Sequence, residues 1–159
     1  GGVAILPQLG IGGAVKYYSQ TLPENSGKGF TGDVGLLFAT PSNKLRIGAV
    51  VKNIAGELKY ESGYTDAFDR CFGAGVALYP IENLLIAADI IYQDGIEGRV
   101  GGEYELGRIR LRAGGAFGAG RTSVSAGAGF AVSGFSIDYA YQTHNILPDS
   151  HRLSLGMKF

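Results

Sequence analysis

No stretch of about 18 consecutive apolar residues occurs in this chain, so no segment of it is a transmembrane helix. Tryptophan is absent. The single cysteine, Cys71, excludes an internal disulfide. Fourteen basic residues balance fourteen acidic ones, and this neutrality removes the electrostatic case for nucleic acid. Metal-ligand spacing of His and Cys is missing, so no metal or other cofactor is expected. The opening Gly-Gly-Val-Ala-Ile-Leu-Pro lacks the basic start and cleavage site of a secretory leader. A chain destined for export is therefore expected here in mature or truncated form.

Glycine is what the chain has in excess, with 27 in 159 residues against the roughly 7 % of average usage. These glycines follow no collagen period. They lie inside apolar alternating runs, which excludes a flexible linker. The dominant signal is alternation with period two. Between Arg108 and Phe117, Ile109, Leu111, Ala113, Gly115 and Phe117 fall on one side, and Arg108, Arg110, Arg112, Gly114 and Ala116 on the other. A strand sends successive side chains to opposite faces, so this segment has one greasy and one charged side. The same pattern predicts about ten strands, at 8–19, 29–40, 44–54, 70–79, 83–93, 97–106, 108–118, 122–133, 135–143 and 151–159. Most have the 9–11 residues that a tilted strand needs to cross a bilayer.

Connections are expected to alternate in length. Thr40–Asn43, Pro80–Asn83, Gly107–Arg108 and Ser133–Gly134 read as short turns. Gln20–Lys28, Ala55–Asp69, Gln93–Gly95, Gly118–Arg121 and His144–Ser150 read as the longer ones. Short turns at one end and longer loops at the other mark an outer-membrane barrel, whose even strand number puts both termini at the short-turn end.

Charge assigns the faces. One face collects Lys16, Asp33, Arg46, Lys52, Asp89, Arg99, Glu103, Glu105, Arg110, Arg112, Asp138, Arg152 and Lys158. Arg or Lys facing lipid at the midplane costs about 2–4 kcal/mol, so these charges are expected to line a lumen while the apolar face meets hydrocarbon. Lipid cannot satisfy open backbone groups, which requires closure into a barrel. The apolar face carries two aromatic bands. Tyr17, Phe30, Phe72, Tyr92, Phe117 and Tyr141 sit at the long-loop ends of their strands. Phe38, Tyr104, Phe130, Phe135 and Phe159 sit at the short-turn ends. Girdles of this kind mark the two interfaces of a membrane barrel. A two-residue turn at Gly107–Arg108 further predicts Glu105 opposite Arg110 and Glu103 opposite Arg112, both pairs pointing inward.

Motifs with a chemical reading have plainer explanations. Gly10-Ile11-Gly12-Gly13 is followed by no βαβ unit, and the phosphate-loop-like run from Gly115 to Thr122 joins two alternating strands with no helix behind it. His144 and His151 flank a loop near Asp149 and Ser150, where solvated or interfacial histidines are commoner than a hydrolase site. Glu103, Glu105 and Asp89 have arginine neighbours, which favours ionised pairs over acid–base catalysis. Cys71 is expected to face inward near the long-loop rim as a packed thiol. Inward glycines and alanines, among them Gly10, Gly12, Ala14, Gly48, Gly73, Gly75, Ala77, Gly101, Gly114, Gly127 and Gly129, leave room for water, a plug or a partner segment. They also fit close backbone approach or strand bending.

Several stretches, in order, carry a family resemblance. They are Ala14–Ser19, Gly32–Phe38, Leu45–Asn53, Ala87–Asp89, Gly101–Tyr104, Asp138–Tyr141 and His151–Phe159. Together they resemble the C-terminal part of the PorV-type outer-membrane proteins of type IX secretion, related in fold to the FadL fatty-acid transporters. The resemblance covers essentially all 159 residues, as a single barrel domain. Terminal Phe159 resembles the signature by which outer-membrane barrels are recognised for insertion. The resemblance implies a barrel of about fourteen strands of which this chain is a part, while the strand pattern alone also fits a closed barrel of ten. It also implies a bacterial outer-membrane location and a non-enzymatic role, receiving secreted cargo and passing it on for surface attachment. Partners would then be lipid, secretion-system proteins and cargo at the external loops. Two further functions compete: a FadL-like or porin-like channel for small or hydrophobic molecules, and a structural β-protein assembling through its apolar face.

Overall fold

A computed structural model describes residues 1–22, 25–118, 120–145 and 148–158. Thirteen strands and no helix occur among them. The strands are β1 (Gly2–Leu6), β2 (Leu9–Leu22), β3 (Asn25–Ala39), β4 (Leu45–Lys52), β5 (Glu57–Tyr60), β6 (Thr65–Ala67), β7 (Cys71–Ile81), β8 (Leu84–Tyr92), β9 (Ile96–Leu106), β10 (Ile109–Gly118), β11 (Arg121–Val132), β12 (Phe135–Gln142) and β13 (Ser150–Met157). All belong to one antiparallel sheet. Eleven follow one another in chain order, and the hairpin β5–β6 branches from β3.

The ten expected strands are β2, β3, β4 and β7 to β13. The sheet adds β1, which pairs Val3 with Ile11 and Gly2 with Gly12. Gly2 lies opposite Gly12, the fourth residue of β2, and the path has eleven strands where the alternation predicts an even ten. The expected loop Ala55–Asp69 contains β5–β6, and β5 takes over the edge of β3 above β4 through Gly27↔Tyr60 and Gly29↔Leu58. Gly56 lies at φ +127°, and a side chain there would run into the carbonyl of Phe30, so only glycine lets the segment approach β3. Gln20–Lys28 is not a long loop, because β2 and β3 stay paired out to Leu22↔Asn25. Gly118–Arg121 is likewise a tight connection, with those two residues paired. Length asymmetry therefore rests on residues 53–70 and 143–149 alone.

Turn chemistry fixes the register. Val132 pairs with Phe135 across Ser133 (φ 47°) and Gly134 (φ 84°), the double positive φ that matches strand twist. Gly107 (φ 62°) opens the two-residue turn between Leu106 and Ile109. Arg110 then opposes Glu105 and Arg112 opposes Glu103, as the alternation predicts.

Strands are staggered. The row starting at Phe38 runs through Ile47, Val76, Ala88, Val100 and Gly115 to Val124. Phe38 is one residue from the end of β3, whereas Val124 is eight from the end of β11. The climb is slightly more than one residue per strand, a tilt of about 40° at ~3.3 Å per residue and ~4.8 Å between strands. Tilts of 35–45° are those of sheets that curl into barrels. The sheet is nevertheless not closed: among the described residues β1 pairs with β2 alone and β13 with β12 alone.

A conventional core is missing. Among the described residues the buried side chains are Leu58, Cys71 and Thr31, and no large one is fully enclosed. The chain exposes 11175 Å², about half again the roughly 7600 Å² expected of a compact protein of its mass. Backbone ladders, rather than an apolar interior, hold the sheet together.

Candidate functional site

The register sorts the side chains onto two faces. Pairings such as Asp89↔Arg99, Glu103↔Arg112 and Ala140↔Arg152 place twelve of the thirteen expected lumen charges, Lys16 to Arg152, on the same face. Lys158, just past the end of β13, continues its charged side by alternation. That face is the less exposed one along β7, β10 and β11, so the sheet curls around it. The opposite, convex face carries Val15, Leu36, Ile47, Ile86, Ile90, Val100, Leu111, Ile137 and Leu155, all exposed. Tyr17, Phe30, Phe38, Phe72, Tyr92, Tyr104, Phe117, Phe130, Phe135 and Tyr141 share it; Phe159 lies outside the described residues. Tyr17 and Phe30 stack at 4.8 Å and Phe72 and Tyr92 at 6.4 Å, cross-strand neighbours in both cases.

Two ion networks on the concave face tie different strands together. In the first, Arg112 binds Glu103 directly opposite and reaches over β11 to Asp138 at 2.7 Å. Arg110 also turns to Asp138, 3.4 Å from each carboxylate oxygen, rather than to Glu105. The reach across a whole strand is possible because Gly127 and Gly129 stand in between. A Cβ on Gly129 would collide with the Asp138 carboxylate. A depression of about 550 Å³ lies beside this network, lined by Gly101, Gly114, Ser125, Gly127, Asp138 and Arg152. In the second group, Lys16 contacts Asp33 at 2.9 Å, and Asp33 accepts the backbone N–H of Asn53 at 3.0 Å. The Asn53 side chain accepts from Lys16 and donates to the Asp69 carbonyl at 2.9 Å. With Tyr18 stacked on Phe68 at 4.9 Å, these contacts pin both ends of the 53–70 segment against the outer rim of the concave face.

Asn53→Ala removes the shared centre of that latch. Limited proteolysis is expected to cut within residues 53–70 at least about fivefold faster than in the parent. Sheet stability should fall by less than about 1 kcal/mol, since the ladders are untouched. Equal cleavage rates would show that the latch holds nothing.

The remaining expectations separate clearly. Arg46 lies 5.3 Å from the centre of the Tyr79 ring, and Arg99 pairs with Glu97, a residue the sequence did not single out. His151 shares a hydrogen bond of 2.8 Å with the Tyr139 hydroxyl, and Tyr141 donates to Asp149. Both contacts lie on the convex side at the long-loop end, while Ser150 pairs with Gln142 on the other face. Ser150 and His151 therefore point to opposite sides of the sheet. Among the described residues no group of three His, Cys, Asp or Glu could hold a metal. Cys71 is buried opposite Lys52.

Asp138 over Gly129, and Asn53 as a latch, escaped the sequence reading. The small residues of β11 on the charged side are the signal for the first. Asn53 gave none beyond its place before a glycine-containing loop. No known family model matches this chain, and no curated protein matches it, so its geometry must carry the functional case.

Proposed function

We propose that this chain forms most of the wall of a transmembrane β-barrel of the bacterial outer membrane, with a non-enzymatic, PorV-like role in secretion or surface attachment of cargo. The supporting observation is sidedness without a core. Apolar side chains face the outside along the meander and nearly all the ions of its strands face the inside, and nothing among the described residues covers the apolar side. About half again the normal surface is left exposed, which is unfavourable in water and favourable in hydrocarbon. The ~40° stagger and the paired aromatics at strand ends fit the same surroundings. The secretion role itself rests on the family resemblance, with cargo meeting the external segments Ala55–Asp69 and His144–Ser150.

The depression lined by glycines on the concave face favours a second reading, a FadL-like or porin-like channel. One set of native outer membranes distinguishes these roles. A photocrosslinker at exposed Tyr64, between β5 and β6, is expected to capture a secreted protein and to leave bilayer conductance at background. Conductance without capture favours the channel. A chain recovered in buffer without detergent overturns both and promotes assembly through the apolar face.

A further inference from the structure

The hairpin β5–β6 ends in a free strand edge. β3 pairs with β4 as far as Val34↔Val51, and β5 joins it at Gly29↔Leu58, beyond the aromatic residue Phe30. On the barrel reading above, the hairpin stands outside the hydrocarbon, where water tolerates an open edge. Among the described residues β6 pairs with β5 alone, and Thr65, Asp66 and Ala67 are all exposed. Hydrogen bonds fix which backbone groups are left over. The Glu61 N–H donates to the Ser26 carbonyl on β3 at 2.9 Å, and the Tyr60 N–H donates to the Tyr64 carbonyl at 2.9 Å. Backbone direction alternates along a strand, so Leu58 and its partner Asp66 turn their N–H and C=O groups toward each other. Thr65 and Ala67 turn theirs to the free side.

We propose that this edge docks an extended peptide segment of a secreted protein, which adds to β6 as a further strand and carries a basic residue between two apolar ones. The inference deepens the secretion reading and rests on it for the identity of the partner. Strand addition draws affinity from main-chain hydrogen bonds and specificity from alternate side chains. The N–H and C=O groups of Thr65 and Ala67 supply the first. The second is set on the side of the hairpin that continues the concave face. Leu58 is buried there, Tyr60 stacks with Tyr64 at 6.0 Å, and Phe68 stacks with Tyr18 at 4.9 Å. Tyr64, Asp66 and Phe68 border an incoming strand on that side, at the positions where cross-strand side chains come closest. Aromatic neighbours at both ends suit apolar residues, and the Asp66 carboxylate between them suits a lysine or arginine. Charge agrees over the wider segment, where residues 53–70 hold four acids, Glu57, Glu61, Asp66 and Asp69, against Lys59 and Arg70.

The test uses the whole protein purified in detergent and a random library of short peptides on beads. Selected binders are expected to carry Lys or Arg with an apolar residue two positions away on each side. N-methylation of a binder's alternate amides in the pairing register should weaken binding about tenfold or more, and so should Ala67→Pro, which removes an outward N–H and spares the β5 ladder. The methylated peptide leaves the protein unaltered, so it decides the matter if the proline loosens the hairpin. Asp66→Lys keeps the edge and should shift the selected central residue from basic to acidic. No enrichment over the Ala67→Pro protein, or binders indifferent to methylation in either register, overturns the proposal. Capture of a secreted protein at Tyr64 without any enriched peptide overturns the edge and leaves the secretion role standing. Enriched peptides without capture at Tyr64 uphold the edge and remove the secretion role.

Discussion

Arginine in place of Ala126 is expected to destabilise the protein in lipid by about 2–4 kcal/mol, whereas arginine in place of the adjacent Ser125 should cost less than about 1 kcal/mol. The two residues are neighbours near the middle of β11, so strand propensity and local sequence are nearly identical. Only the face differs. Ala126 is exposed on the convex side, where an arginine at mid-strand would sit in hydrocarbon on the proposed reading. Ser125 faces the concave depression between Gly101, Gly114 and Asp138, which has space and a carboxylate for a guanidinium. Urea titration of vesicle-refolded protein, followed by circular dichroism and by heat-modifiable migration on gels, measures both costs. A larger cost at Ser125 would show that the charged face is the outside, and equal costs that neither face meets hydrocarbon; either result would end the membrane case. In water without lipid the predicted order disappears, because an exposed arginine at 126 is then harmless.

Alternation carried the meander because it is local. Each strand from β7 to β13 repeats a two-residue period for eight residues or more, and a two-residue turn such as Ser133–Gly134 leaves little freedom in how the next strand pairs. β1 was invisible because Val3, Ala4, Ile5 and Leu6 are all apolar, which erases the period. β5 alternates, but Glu57–Tyr60 is too short to stand out from a loop. What ties β5 down is Gly29 on a distant strand, where any side chain would strike the backbone at Glu57 and Leu58. Lengths of loops misled for the opposite reason. Largely polar Gln20–Lys28, with Pro23, Asn25 and Gly27, has turn composition, yet its described residues continue the β2–β3 ladder out to Leu22↔Asn25. Face assignment was legible residue by residue, since it needs parity alone. Closure was not, because it depends on which strands meet at the far edges.

Contacts beyond the adjacent strand were illegible for a related reason, and they carry the second large effect. Asp138→Ala is expected to cost about 1–3 kcal/mol, since it leaves Arg110 and Arg112 side by side without their shared carboxylate. Full burial would make the loss of such a partner worth about 3–5 kcal/mol. The three side chains remain between a quarter and two fifths exposed, and water recovers part of that. Arg110 is the more vulnerable of the two, because its Nε is buried without a partner even when Asp138 is present, whereas Arg112 keeps Glu103. Gly129→Ala should act in the same direction by pushing the carboxylate aside with all charges retained. If the ion network is responsible, Arg110→Leu combined with Asp138→Leu will lose less than the sum of the two single changes, and the difference measures their coupling. Strict additivity, with Asp138→Ala inside about 0.3 kcal/mol of the parent, would mean that these ions are merely tolerated on the inner face. The stability of the wall would then come from its backbone ladders alone.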